Sequence, residues 1–225
     1  MSDEISLIIL LSVGAAFSLA WLIFMREQLN MKWYVAIPLA ILHTLCGVLS
    51  VKIFAFLETG FNSESLGNMS LFGGVFMMPL TYMLGAKISK RNMSEVCDIF
   101  TPCMLVTVMF ARVGCIIGGC CKGIPIPGLG GVRVPTREAE VIFYIVLLIL
   151  LCPRIVRKQT GGRAYPVYMM AYGVFRFVTE FLRESDNTTI FHRAHIWSLI
   201  TLILGVCIYV EINNRKINTR RRIKK

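Results

Sequence analysis

Apolar positions along the chain gather into seven long runs, separated by short polar segments. Most runs are near the length of about 20 residues with which an α-helix crosses the hydrocarbon core of a bilayer. The predicted spans are 4–24, 33–57, 69–86, 95–114, 139–153, 164–182 and 195–212. The pattern therefore predicts an all-α integral membrane protein with about seven transmembrane helices.

The N-terminal segment of the chain is acidic and the C-terminal segment is basic. Asp3 and Glu4 stand where a cleavable signal peptide would carry positive charge, so we interpret 4–24 as a retained helix. The connecting segments are too short to hold a soluble domain. We expect residues 1–214 to form a single transmembrane domain and residues 215–225 to form a basic cytoplasmic tail.

Basic residues are distributed unevenly between the two predicted sides of the membrane. The net charge is +11, and 16 of the 24 lysines and arginines lie in the first, third and fifth connections between spans or in the tail. The positive-inside rule then places the N-terminus outside and the C-terminus in the cytoplasm. An anionic membrane leaflet accounts for this charge, so no nucleic-acid partner is expected. The basic residues on the cytoplasmic side are Arg26, Lys32, Lys87, Lys90, Arg91, Arg154, Arg157, Lys158, Arg163, Arg215, Lys216, Arg220, Arg221, Arg222, Lys224 and Lys225.

A smaller group of basic residues breaks this rule, because its members fall at the predicted outer side. Charge in or beside a span is costly and usually faces a cavity or a partner. We therefore look for function in this group. Its members are Arg112, Lys122, Arg133, Arg137, Arg176, Arg183 and Arg193.

The stretch ARVGCIIGGCCKG (111–123) combines Arg112 with several glycines, among them Gly114, Gly119 and Gly123. Small residues let backbone or ligand approach closely, and exposed amides beside a guanidinium suit an anion. The stretch predicts a pocket for a lipid phosphate. The alternative is an arginine at a helix end that extends its charge to the interface.

Three charged residues recur on one helical face in the sixth span. Arg176, Glu180 and Arg183 are four and three residues apart, which favours either a site or a structural ion pair. In VRVPTREAEVIFY (132–144), Glu138 fits the first turn of a helix. Glu140 lies deeper and is expected to pair with an arginine of another helix.

Cysteines cluster at one point, as Cys115, Cys120 and Cys121. Their C-x4-C-C spacing is not a common zinc pattern and no histidine is near in sequence, so neither a metal nor a cofactor is predicted. A membrane thiol-redox protein that uses these cysteines is kept as an alternative. His195, at the start of the last span, is a further candidate site residue.

Taken in order, these segments resemble one family. The order R-x-G-x-x-x-x-G-C-C-x-G, PTREAE, YGVFRFVTEFLR and HIWSL is similar to bacterial prolipoprotein diacylglyceryl transferases. MSLFGG (69–74) also resembles a Gly-Gly stretch of that family. The likeness covers about residues 47–200.

The resemblance implies the transfer of a diacylglyceryl group from phosphatidylglycerol to the lipobox cysteine thiol of a prolipoprotein signal peptide. It places the protein in a bacterial cytoplasmic membrane, among membrane lipids. Arg112 and Arg176 would occupy the positions of essential arginines, and Glu180 would orient one of them. The residues expected to bind substrate are Gly114, Gly119, Gly123, Glu140, Glu180, Arg183 and His195.

The chain departs from the family pattern at several positions. Phe72 stands where the family has a histidine, Cys115 replaces an asparagine, Cys120 replaces a glutamate and Arg137 replaces a glutamine. The loss of the histidine leaves the base for the thiol unassigned. It also keeps open a phospholipid-binding protein of the same fold that has no catalytic activity.

Overall fold

A computed structural model describes residues 3–61, 69–128, 130–184 and 191–223. The described residues contain seven α-helices and no β-strand beyond two isolated bridges. The helices are α1 (Asp3–Met25), α2 (Trp33–Glu58), α3 (Phe72–Ser89), α4 (Met93–Ile117), α5 (Thr136–Val156), α6 (Ala164–Glu180) and α7 (Arg193–Ile223). Most of the predicted outer loop 58–68, and Lys224 and Lys225 of the predicted tail, lie outside the described residues.

The predicted spans match α1 to α6 closely, with each boundary within three residues. Four segments of the described chain are long and apolar enough to cross a membrane, namely α2, α4, α5 and Arg193–Asn218 of α7. The predicted all-α membrane class is confirmed. The number of spans, the orientation of the termini and the domain division remain predictions.

The last helix continues past its apolar run. The sequence predicts a span ending at 212, but α7 extends to Ile223. Glu211 and Arg215 form an ion pair one turn apart at 2.7 Å, and arginine and lysine are good helix formers. The end of an apolar run thus marks the end of the apolar surface rather than the end of the helix.

Helix α4 lies at the centre of the bundle. It packs against α1, α3, α5 and α6, and most of its side chains from Val96 to Val108 are buried. The indole Nε1 of Trp21 on α1 donates a hydrogen bond of 2.8 Å to the carbonyl of Ile99. This position makes α4 the element to which the helices of the site are fixed.

Successive helices alternate in direction, so the ends of α2, α4 and α6 meet the starts of α3 and α7. The Gly-Gly stretch permits close contact at this end. A Cβ on Gly73 would stand 2.1 Å from the carbonyl oxygen of Ser50, so only glycine lets α3 lie this close to α2.

At the opposite end, one buried carboxylate fixes the start of α6. Asp98 of α4 accepts hydrogen bonds of 2.6 Å from the backbone amides of Gly162 and Ala164, and a third from the Thr160 hydroxyl. Free amides at a helix start need acceptors, and here a neighbouring helix supplies them. Asp98 therefore couples the position of α6 to α4.

Replacing Asp98 by alanine should destabilise the protein, because two buried amides and a hydroxyl would lose their acceptor. We expect a loss of about 2 kcal/mol in unfolding free energy, or roughly 5 °C in the melting temperature in detergent. The matched control is Glu95→Ala, three residues earlier on the exposed side of α4. Equal melting temperatures for the two variants would contradict this role of Asp98.

Candidate functional site

Five charged side chains meet where α4, α5 and α6 converge. They alternate in sign in the order Arg112, Glu140, Arg176, Glu180 and Arg183. We call these five residues the arginine–glutamate network. Arg112 comes from the last turns of α4, Glu140 from the second turn of α5, and the others from the end of α6 and the residues after it.

Glu140 is the junction of this network. Its Oε1 accepts a hydrogen bond of 2.9 Å from Nη1 of Arg176, and its Oε2 forms an ion pair with Nε of Arg112. Arg176 also reaches Glu180 through Nη2 at 2.7 Å, and Arg183 lies 3.6 Å from the same glutamate oxygen. The expectation that Glu140 pairs with arginines of other helices is confirmed.

The network is buried and its charges do not balance. Arg112, Glu140 and Arg176 are 7%, 2% and 5% exposed. Buried charge is tolerated when it is paired, and here three arginines share two glutamates. The surplus positive charge favours the binding of an anion.

A cavity of about 330 Å³ opens beside the network. Arg193 lies on the wall of this cavity. The sequence places it among the basic residues of the predicted outer side but does not identify it as a site residue. Its guanidinium donates a hydrogen bond to the carbonyl oxygen of Glu58 at the end of α2. The cavity is lined by Ala55, Glu58, Thr59, Met69, Ser70, Leu71, Phe72, Arg112, Cys121, Tyr172, Arg176, Arg183, Arg193 and Ala194.

Aromatic side chains form the inner part of this wall. Phe72 lies 5.8 Å from Tyr172, measured between ring centroids, so the position of the family histidine does face the cavity. The hydroxyls of Tyr172 and Tyr144 are buried and have no hydrogen-bond partner among the described residues. The hydroxyl of Tyr172 is thus a donor available to a ligand.

A larger cavity of about 1040 Å³ lies at the other end of the bundle. Its lining contains two acidic residues, Glu95 and Glu211, and two basic residues, Arg215 and Lys216, so its charges balance. We place the site at the smaller cavity because its charges are buried and carry a positive excess.

The three predicted glycines do not line the cavity. Gly114 lies on α4 and its carbonyl accepts a hydrogen bond from the amide of Gly118. Gly119 adopts a left-handed turn with φ +68°. A Cβ on Gly123 would stand 2.1 Å from the carbonyl oxygen of Val134, so this glycine allows two parts of the loop to touch. These positions indicate that the glycines shape the loop after α4.

That loop contacts the residues that follow α6. The amide of Ile124 donates to the carbonyl of Leu182 at 3.0 Å, and Gly123 bridges to Arg183. Arg133 donates to the carbonyl of Gly123 and pairs with Glu184 at 2.5 Å. The residues after α6 are thereby held against the loop, which keeps Arg183 beside Glu180.

His195 is buried but lies apart from the cavity. Its Nδ1 accepts a hydrogen bond of 3.0 Å from the amide of His192, and its ring packs against Phe177, Phe181 and Phe191. A role for His195 in substrate binding remains a prediction, and its surroundings are those of a packed aromatic residue.

The three cysteines for which the sequence predicts no metal site lie close together in the fold. The sulfurs of Cys115, Cys120 and Cys121 all lie within 4.8 Å of one another. The Cys115 thiol donates to the Cys121 sulfur and lowers the pKa of Cys121 to about 4, helped by the positive charges of Arg183 and Arg112. Burial, followed by the charge of Arg176, lowers the pKa of Arg183. The network and the cysteines therefore form one electrostatic unit.

Comparison with known proteins identifies the family of the chain. The family model described as "Prolipoprotein diacylglyceryl transferase" matches residues 5–211. A phosphatidylglycerol–prolipoprotein diacylglyceryl transferase of Clostridium tetani is 26% identical over 65% of both chains, just under two thirds of that relative's length. Proteins of the same name are 21% identical in Dehalococcoides mccartyi, over 90% of this chain and 86% of that one, and 31% identical in Pasteurella multocida, over 53% and 48%. The predicted resemblance is confirmed, and the chain belongs to the prolipoprotein diacylglyceryl transferase family.

Proposed function

We propose that this protein transfers the diacylglyceryl group of phosphatidylglycerol to the lipobox cysteine thiol of a prolipoprotein, at the outer side of the bacterial cytoplasmic membrane. The observation that carries the proposal is the buried, net-positive arginine–glutamate network on the wall of the 330 Å³ cavity. The names of the matched relatives support both substrates.

The reaction moves charge onto a phosphate. The acceptor sulfur attacks the glyceryl carbon that bears the phosphate, a carbon–sulfur bond forms, and the carbon–oxygen bond breaks. The electron pair leaves with the phosphate oxygen as glycerol phosphate, whose charge grows from about −1 towards −2. Guanidinium groups fixed before the reaction stabilise such developing charge best.

The network supplies fixed guanidinium groups at the proposed phosphate site. Arg112 is joined to Glu140 through Nε, so its Nη groups remain as donors for a phosphate oxygen. Arg176 is held at both Nη groups, which keeps its charge in place. Arg183 is paired only at 3.6 Å, so its guanidinium also keeps donors for a phosphate oxygen. The lipid chains would enter laterally between helices.

Replacing Arg112 or Arg176 by glutamine should lower the transfer rate by at least about 100-fold, since each removes a charge that stabilises the leaving phosphate. The measurement is phosphatidylglycerol-dependent lipidation of a lipobox peptide by purified protein in detergent. The control is Arg215→Gln, whose exposed pair with Glu211 lies at the opposite end of the bundle. Wild-type protein that lipidates no peptide would exclude the proposed activity. Arginine variants that melt normally and remain active would exclude the residue assignment.

Replacing Glu140 by glutamine should leave Arg112 and Arg176 facing each other without their shared counter-charge. We expect the unfolding free energy to fall by about 3 kcal/mol. Phosphatidylglycerol should raise the melting temperature of Glu140→Gln more than that of wild type, because its phosphate replaces the lost carboxylate charge. Glu138→Gln, in the first turn of the same helix, is the matched control, and diacylglycerol, which carries no phosphate, is the control lipid. Equal shifts with phosphatidylglycerol and diacylglycerol would argue against a phosphate beside Glu140.

Phe72 favours one alternative function, a phospholipid-binding protein without turnover. Phe72→His should discriminate the two, because it returns an imidazole to the cavity wall. If the chain is a transferase, wild type is active and the histidine variant retains or raises that rate. Phosphatidylglycerol binding by wild type without lipidation, with activity gained only in Phe72→His, would favour the binding protein.

A further inference from the structure

The proposed transfer needs a thiolate, and the fold brings one sulfur to the wall of the cavity where a base is missing, with two more sulfurs beside it. Cys121 lines the same cavity as Phe72 and Arg112. The sulfurs of Cys115 and Cys120 lie within 4.8 Å of it. All eight cysteines fall within the described residues, and all are free thiols. This cluster is the strongest group of metal-ligating side chains outside the arginine–glutamate network.

The backbone holds the three sulfurs together. Cys115 lies in the last turn of α4, and the chain then turns back through Gly119 and Cys121, both with left-handed backbone at φ +68° and +56°. A non-glycine residue adopts this conformation only at a cost of about 1 kcal/mol. Arg137 of α5 donates from Nη1 to the carbonyls of Cys115 and Cys120, both at 3.3 Å, and so ties the turn to the bundle.

The donor set determines which ion the cluster would take. Three thiolates select a soft or borderline cation such as zinc rather than magnesium or calcium, which prefer oxygen. Zinc–sulfur bonds of about 2.3 Å place tetrahedral sulfurs roughly 3.8 Å apart, so closing a separation of at most 4.8 Å needs only a small side-chain movement. Three protein ligands leave a fourth position for an outside ligand, as in catalytic zinc sites.

We propose that Cys115, Cys120 and Cys121 bind one zinc ion whose fourth ligand is the acceptor cysteine of the substrate. This inference rests on the proposed transferase function. Zinc deprotonates a thiol that coordinates it. The metal thus performs the activation that the resemblance assigns to a histidine and that Phe72 cannot perform.

The step balances without a further reactant. The acceptor thiol displaces a water from zinc and releases its proton to solvent. The zinc-bound sulfur attacks the glyceryl carbon, the carbon–sulfur bond forms, and the electron pair of the broken carbon–oxygen bond leaves on the phosphate. The product is a thioether, which is a weaker ligand than a thiolate, so water can displace it.

The first test measures metal binding alone. Reduced, metal-free protein in detergent is titrated with cadmium, whose bonds to thiolates absorb in the ultraviolet, and then with zinc in competition. We expect one ion per chain and a band of three-thiolate intensity. Serine at Cys115, Cys120 or Cys121 should weaken zinc binding by at least about 100-fold, whereas Cys207→Ser, an exposed cysteine on α7, should not change it.

The second test adds the acceptor. A lipobox peptide, with no phosphatidylglycerol present, should raise the cadmium–thiolate band of the loaded protein by about one third, because a fourth sulfur joins the ion. The matched peptide has serine in place of the cysteine and should leave the band unchanged. This readout does not depend on turnover.

Each outcome separates this inference from the proposed function. No stoichiometric band, or a band that survives in the triple serine variant, overturns the metal site. A band to which the peptide adds nothing overturns the acceptor role. Lipidation that continues unchanged after chelation overturns the catalytic use of zinc and leaves the transferase function standing. Binding of zinc and peptide without lipidation removes the transferase function. A disulfide among the three cysteines that reforms and excludes metal favours the thiol-redox alternative.

Discussion

The shared carboxylate of Glu140 is the interaction on which the rest of the site depends. It holds guanidinium groups from two other helices in a region where each charge alone would be strongly destabilising. Because a buried charge must be paired, α4, α5 and α6 are brought to one fixed arrangement at this end of the bundle. The structure thus uses ion pairing to specify the position of helices whose surfaces are mostly apolar.

The network contains more arginines than glutamates, and this incomplete pairing has a functional consequence. A neutral network would be a structural element, comparable to the fixing of α6 by Asp98 at the other end. The third arginine leaves the network with a positive charge that its glutamates do not match, and the proposed phosphate site depends on this charge. The loop after α4, tied through Gly123 to Arg183, keeps that third arginine in place.

Much of this arrangement follows from the sequence, because hydropathy and charge are local properties. The apolar runs predict each of α1 to α6 within three residues, and the need of a buried acid for a partner predicts the pairing of Glu140. The cysteine cluster could not be predicted in this way. Its sulfurs lie close together because two residues of the turn have left-handed backbone and because Arg137 of the next helix donates hydrogen bonds to the turn. The spacing of the cysteines along the chain predicts neither feature. Arg193 and Tyr172 join the cavity only through the packing of α6 and α7. His195 lies at the start of the last helix, as predicted, but its aromatic neighbours are visible only in the fold.

Helix α6 is anchored at both ends, by Asp98 at its start and by Glu140 at its last turns. Between these anchors the rings of Tyr165, Tyr168 and Tyr172 pack in a row along its buried face, with centroids about 6 Å apart. A helix held at both ends in this manner is expected to keep its position when a ligand enters. In the proposed reaction, the helices around α6 separate to admit a lipid with two acyl chains, while Arg176 keeps its position. The phosphate would then be recognised at one constant depth in the bilayer, whatever the length of the chains behind it.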